Sequence, residues 1–381
     1  MAENTITAIL PDIYESLNVV SREVTGMIPA VTLSASSARA ELNQNIVVDV
    51  EPDAPAGITI SSAMVVPDPV GEVSGSTTLT ISNSKAYSFG FNGEDQKGLA
   101  TGPGYLGVRA QKIAQRIRRL VNDVESDLAA LHAQTSRAYG TAGVTPFATA
   151  GDFSDASFAK KIIVDNGAPE FDNHIIMNTT AGATIQGKQA QANITGTDSL
   201  QRQGVLLPLA GLDLRQSAQI ATPAVGTGAG YLSNLVGGYA VGDTSIALDT
   251  GAGTVLAGDI VTFAGDTNQY VVATGVAAPG SIVLQEPGLR QALANNVAMT
   301  IVGAAARNMV FNRSAIVLAT RAPARPQEGD LAADVQMVTD PRSGLTFEFA
   351  MYKGYRKVRY EVALAWGMKM IAPRHSALLL G

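Results

Sequence analysis

Apolar residues at Ile113, Ile117, Leu120, Val124, Leu128 and Leu131 recur at steps of three and four. That spacing places them on one stripe of a helix. It predicts one long amphipathic helix from about Leu106 to Tyr139, roughly 50 Å at about 1.5 Å per residue, in a chain otherwise built of Gly-punctuated β-like segments. The opposite face carries Lys112, Arg116, Arg119 and Asp123, with Arg109 and Arg118 nearby and Glu125 and Asp127 towards the C-terminal half. Cations near a helix N-terminus and anions near its C-terminus oppose the macrodipole, at about a few tenths of a kcal/mol each. Local helix stability therefore does not explain them. Contact with neighbouring copies or with other segments would, and Arg109, Arg116 and Arg119 are the candidates; the alternative is a solvated face of ion pairs worth ~0 to 1 kcal/mol.

Elsewhere the pattern is shorter. Leu10 to Val24 reads as an amphipathic helix with Pro11 in its first turn, and Ile46 to Val50 as a strand. Glu51 to Gly75, rich in Pro, Asp, Gly and Ser, reads as an extended loop. Thr77 to Ile81 and Ala86 to Phe91, alternating around Ser82 to Lys85, predict a hairpin. Ser154 and Asp155 are placed to cap a helix through Phe158, Ile162 and Ile163 that ends near Gly167. His174 to Met177 reads as a buried strand, Ala181 to Ile194 as a helix weakened by Gly182 and Gly187, and Val205 to Leu214 as extended.

From Pro223 to about Gly303 the strands are short and evenly punctuated: Ser245–Leu248, Ile260–Phe263, Gln269–Ala273, Ser281–Leu284 and Val297–Val302. Gly-Asp pairs at Gly242, Gly258 and Gly265 mark turns in which Gly takes an unusual φ and Asp bonds nearby backbone. This predicts a small barrel. Asn308 to Thr320 returns to a mixed pattern. Pro323 and Pro326 then lead to an acidic loop, Glu328 to Asp334, and Leu345–Met351 and Lys357–Ala365 alternate as antiparallel strands.

At 381 residues, 46% hydrophobic and 16% charged, the chain is globular and long enough for about two to three domains. Its 38 glycines and low charge predict many turns and much surface hidden in a core or between subunits. The absence of cysteine excludes disulfides, thiolate metal sites, Fe–S clusters and Cys nucleophiles. Met1 to Thr7 has no basic n-region, and no apolar run approaches the ~20 residues of a membrane span, so the expectation is a cytoplasm-like compartment and no membrane. The net charge of −6 argues against general adhesion to nucleic acid but leaves room for one basic face.

The stretch AGDIVTFAG, Ala257 to Gly265, is similar to a barrel strand with flanking turns in the insertion domain of one capsid branch. Leu206 to Tyr231, with Gly211, Leu214 and Ser217, and Arg307 to Arg321 resemble the segments leading into and out of that insertion. Over nearly its whole length the chain resembles a tailed-phage major capsid protein with the HK97-like fold, in the branch of the phage P22 coat protein. The resemblance implies an α+β fold with an N-terminal arm (1–50), an extended loop (51–103), a spine helix (104–140), a peripheral and axial core (141–222), an inserted small β-barrel domain (223–304) and a return to that core (305–381). It implies a non-enzymatic coat protein, without cofactors, that self-assembles as hexamers and pentamers into an icosahedral head shell. The implied partners are a scaffolding protein, a portal protein, an optional decoration protein and double-stranded DNA packaged without sequence specificity. Its place would be the virion, after assembly in the host cytoplasm. Asp12 and Glu15, in the acidic N-terminal helix, are the candidate scaffold contacts.

Other chemistry is weakly signalled. Gly102, Gly104 and Gly107 satisfy G-x-G-x-x-G before a helix, but no βαβ context is predicted, so a hinge between loop and spine is the better reading. His132, His174 and His375 are far apart and lack partners at metal-ligand spacing, and no G-x-S-x-G elbow occurs. Asp49, Glu51 and Asp53 have hard-cation chemistry, although Pro52 and Pro55 hold them as a loop edge. Lys353, Arg356, Lys357 and Arg359, interleaved with Tyr352, Tyr355 and Tyr360, are candidates for an inter-subunit or nucleic-acid contact; the plainer reading is a charged turn with tyrosines packed across a sheet. The rivals to a phage coat are an encapsulin-like shell around protein cargo and a β-rich hydrolase or binding module. The latter needs convergent polar groups that the sequence does not assemble.

Overall fold

The computed structural model describes residues 25–50, 62, 75–99, 104–149, 152–191, 206, 208–340 and 343–381. The predicted helix at Leu10 to Val24 and most of the extended loop lie outside them. The first part of the chain contains β1 (Thr32–Ala40), β2 (Asn45–Val50), β3 (Gly75–Thr80), β4 (Asn83–Asn92), α1 (Gly93–Leu99), the long helix α2 (Tyr105–Ala130) and β5 (Arg137–Tyr139). Then come α3 (Ser154–Asp165), β6 (Asn173–Met177), α4 (Thr179–Gln191) and β7 (Asp213–Gln216). The β-rich stretch holds β8 (Leu232–Ser233), β9 (Ser245–Asp249), β10 (Ile260–Phe263), β11 (Gln269–Thr274), β12 (Gly280–Leu284) and β13 (Met299–Ile301). The last part holds β14 (Arg307–Asn312), β15 (Ile316–Pro323), β16 (Ala332–Thr339), β17 (Thr346–Gly354), β18 (Lys357–Met370) and β19 (Ser376–Leu380).

Helix α2 buries the predicted stripe: Ile113, Ile117, Leu120, Val124 and Leu128 are all at most 2% exposed. Each such side chain contributes roughly 1.5 to 3 kcal/mol by leaving water. The helix is 26 residues long and stops short of the predicted Tyr139. After Ala130 a 3₁₀ turn, Leu131–Gln134, tightens it, and Thr135 turns extended. Arg137–Tyr139 is then captured between β19, in parallel, and β11, antiparallel. Inter-strand pairing overrode helical continuation.

Two sheets surround this helix. One runs β1-β15-β18-β17-β16, with β4 also on the 14-residue β18. The other runs β7-β6-β14-β19-β5-β11-β12-β9-β8, with β10 between β11 and β13. The hairpin predicted between Thr77–Ile81 and Ala86–Phe91 is absent: β3 pairs with β2, and β4 pairs with β18 from Asn83↔Trp366 to Asn92↔Lys357. Alternation marks a strand but does not choose its partner. The predicted cap on α3 also differs. Asp152 accepts from the Ser154 amide at 2.8 Å, while Asp155 accepts from the Phe147 amide at 2.7 Å and so holds the preceding loop.

The β-rich stretch has its own core, including Tyr231, Ile246, Phe263, Tyr270 and Ile282. Its five predicted strands are present as β9 to β13. The Gly-Asp turns have the expected geometry; at Gly258, for example, φ is 87° and Asp259 accepts from the Leu256 amide at 2.7 Å. The ladder β13-β10-β11-β12-β9-β8 curls until Leu232 forms a bridge with Ala298. The stretch is not detached from the rest, because Gln269 and Tyr270 of β11 pair with Ala138 and Arg137 of β5.

Candidate assembly surface

The polar side of α2 faces β4. Tyr87, Phe89 and Phe91 share one face of that strand through its two-residue period. Along α2, Lys112 Nζ lies 4.4 Å from the Phe91 ring centroid, Arg116 Cζ 5.4 Å from that of Phe89, and Arg119 Nε 3.4 Å from Tyr87 Oη. Seven helical residues rise about 10 Å and four strand residues about 13 Å, a difference that the long Lys and Arg side chains span. Arg109, buried, sits with Cζ 5.3 Å from the Tyr105 ring. The basic row that opposes the macrodipole is thus used within the chain, where cation–π contact contributes ~0.5 to 1 kcal/mol or more per pair.

The acidic half is used in the same way. Asp123 Oδ2 accepts from Tyr87 Oη at 2.7 Å and from Lys85 Nζ at 3.3 Å. Asp127 Oδ2 accepts from Trp366 Nε1 at 2.9 Å and from Asn83 Nδ2 at 3.0 Å. Glu125, which the sequence reading put on the charged face, is 1% exposed. Its carboxylate accepts from the amides of Met27 (3.0 Å) and Ile28 (3.0 Å) and from Ser217 Oγ (3.0 Å). Burial raises its pKa, and those donors counteract the rise. It therefore ties two remote segments to the helix. Its spacing was a usable signal, because Glu125 stands four residues after Val121 and three before Leu128, on the apolar stripe.

The second basic group lies at the end of the β17–β18 hairpin. Lys353, Arg356, Lys357 and Arg359 are exposed, as is Tyr355 at 89%. Arg356 adopts φ 55°, and its carbonyl accepts from the Gly93 amide at 3.2 Å. Beside the hairpin a cleft of about 740 Å³ opens against the start of α2 and brings Arg109 together with Lys353, Arg356 and Lys357. Arg116 and Arg119 lie further along the helix, and Arg359 pairs with Glu361 at 3.2 Å outside this cleft. Within it, Tyr105 and Tyr360 hydroxyls are 3.3 Å apart. Burial and that hydrogen bond push the Tyr105 pKa up to about 12. Tyr360 packs on Phe89 and Phe349, as the plainer sequence reading expects of it, whereas Tyr355 does not pack.

Asp12 and Glu15 lie outside the described residues, as do Gly102, Glu51 and Asp53. Gly104 takes φ 87° at the start of α2, and among the described residues the element before it is the helix α1 and not a strand. Among the described residues no group of three His, Asp or Glu is placed to hold a metal ion, and no helix is long and apolar enough to cross a membrane.

A long helix clasped by an elongated sheet, a two-stranded ribbon at the sheet's end and a second layer of strands and short helices together make the HK97-like capsid fold. The capsid structure of the cyanophage P-SCSP1u is similar to this chain with a TM-score of 0.50 and 12% identity, covering 94% of this chain and 88% of that one. A chain from Mycobacterium phage Che8 has a TM-score of 0.44 and 13% identity, covering 89% of this chain and 85% of its own. At such identity the cyanophage likeness establishes the fold alone. No protein-family model matches the chain, and no curated protein matches it.

Proposed function

We propose that this chain is a major capsid protein that self-assembles into an icosahedral shell around phage DNA, as part of a virion. The observation that carries this reading is the sharing of one fold with a cyanophage capsid subunit over 94% of the chain. The physical logic is geometric: a rigid helix-and-sheet body presents a ribbon, an extended loop and an arm to its neighbours, and many modest interfaces add up to a closed shell. Hexamers and pentamers are the units of that shell, with scaffolding and portal proteins as partners and Asp12 and Glu15 as candidate scaffold contacts.

The finer reading is a coat protein of the P22 branch, divided into arm, loop, spine, core, insert and returning core as its sequence resemblance implies. It is supported by the separate core of the β-rich stretch and by the bridge from Leu232 to Ala298, which brings the ladder's ends together as a small inserted barrel does. Co-expression with the neighbouring genes of its source, followed by sedimentation and negative-stain microscopy, tests the function. Closed shells of uniform diameter containing DNA are expected. A soluble monomer rejects the reading, and shells filled with protein instead of nucleic acid transfer it to an encapsulin-like container.

A further inference from the structure

Two adjoining hollows meet at Lys357, near the end of the β17–β18 hairpin. The larger is the cleft of about 740 Å³ that brings Arg109, Lys353, Arg356 and Lys357 together. The smaller, about 450 Å³, shares Phe91, Lys357 and Val358 with it and continues along β4 to Arg359, which is itself paired with Glu361. No Asp or Glu lines either hollow. Among the described residues no carboxylate forms an ion pair with Lys353, Arg356 or Lys357. Cations gathered around one depression, in a chain of net charge −6, make a local positive field against the overall charge, and so select an anionic partner.

The kind of anion follows from how the cations are presented. Lys353, Arg356 and Lys357 are all exposed, while the backbone beneath them is anchored, with the Arg356 carbonyl accepting from the Gly93 amide at 3.2 Å. Long side chains on a fixed base respond to charge density and not to the outline of one compact ligand. Lys357 and Arg359, two residues apart on one face of β18, stand about 7 Å apart along the strand. A DNA duplex presents a phosphate on each strand about every 3.4 Å of its axis, so these cations find phosphates within reach in any register. Contacts of that sort hold a backbone and carry no sequence information. Tyr355, 89% exposed at the hairpin tip, adds an unpacked ring beside the cations, a pairing suited to nucleic acid.

We propose that this end of the β17–β18 hairpin is the surface that meets the packaged duplex, with Lys353, Arg356 and Lys357 on its phosphates. This rests on the shell reading and assigns the face of the subunit that contacts DNA. Acetylation of lysine amines in purified shells, read by peptide mass spectrometry, is the direct test. Lys353 and Lys357 are expected to be protected in shells that hold DNA and to react several-fold more in shells emptied of it. Protection in both kinds of shell assigns the cations to a neighbouring subunit, and reactivity in both leaves them facing solvent; either result overturns the proposal. Binding of a short mixed-sequence duplex by the full chain tests it without shells. K353Q/R356Q/K357Q is expected to weaken that binding about tenfold or more, and to make the slope of log affinity against log salt shallower by about 2.7, equally for two unrelated sequences. An unchanged slope, or a loss confined to one sequence, overturns the proposal. Failure of the unaltered chain to form shells is a separate result that rejects the shell reading itself, and the duplex measurement still decides the role of the cations.

Discussion

On α2 the cations at positions 112, 116 and 119 lie along the rings of β4, whereas on the β17–β18 hairpin the cations at 353, 356 and 357 stand exposed around a cleft. Both regions mix basic and aromatic residues, so composition does not separate them. Their periods do. A helix returns a cation to the same side every three or four residues, which lets a whole row follow the aromatic face of one strand. At the end of the hairpin no aromatic row lies along the cations, and Lys353, Arg356 and Lys357 stay exposed and available to a partner. The same residue types serve folding in one place and, as proposed, contact with DNA in the other.

The largest expected effect comes from breaking the internal side of this contrast. Glu125→Ala leaves the Met27 and Ile28 amides and the Ser217 hydroxyl buried without their acceptor. It should destabilise the dissociated chain by about 3 to 5 kcal/mol in denaturant unfolding. A loss below about 1 kcal/mol would show that these donors find other acceptors.

Glu125 also predicts a pH dependence. Burial raises its folded pKa above the ordinary 4.5, so the folded state holds a proton that the unfolded chain releases. The stability of the natural chain relative to Glu125→Gln is therefore greatest below pH 4.5. It falls as pH rises through the folded pKa. Melting temperatures of both chains from acid to neutral pH measure this, and a gap independent of pH contradicts it.

Smaller effects sharpen the comparison. Arg116→Ala should cost about 0.5 to 1 kcal/mol, and a double-mutant cycle with Phe89→Leu should recover most of that as coupling. Lys353→Ala should leave the melting temperature of the dissociated chain unchanged while weakening its binding of duplex DNA. If Lys353→Ala destabilises the dissociated chain as much as Arg116→Ala does, the distinction between internal and outward cations fails.

Much of the fold was legible before any contact was known. The α2 stripe, strands β9 to β13 and their Gly-Asp turns follow from spacing within a few residues. The misplaced end of α2 and the absent hairpin share a cause, since Arg137–Tyr139 and Ala86–Phe91 carry local signals that remote strands then redirected. Of the surface, the basic hairpin was legible as a cluster. Its union with Arg109 was not, because α2 and β18 meet only in the folded chain.

The sequence by itself determined where the long helix runs, which of its faces is apolar and where the short strands fall, because periods of 3.6 and 2 residues are properties of a segment alone. Tertiary structure alone decided that Lys112, Arg116 and Arg119 of the helix's charged side lie along β4, that Glu125 joins Met27 across 98 positions, and that β3 and β4 part company. Partner choice depends on surfaces brought together from distant parts of the chain, and no local pattern encodes the complementary surface it will meet.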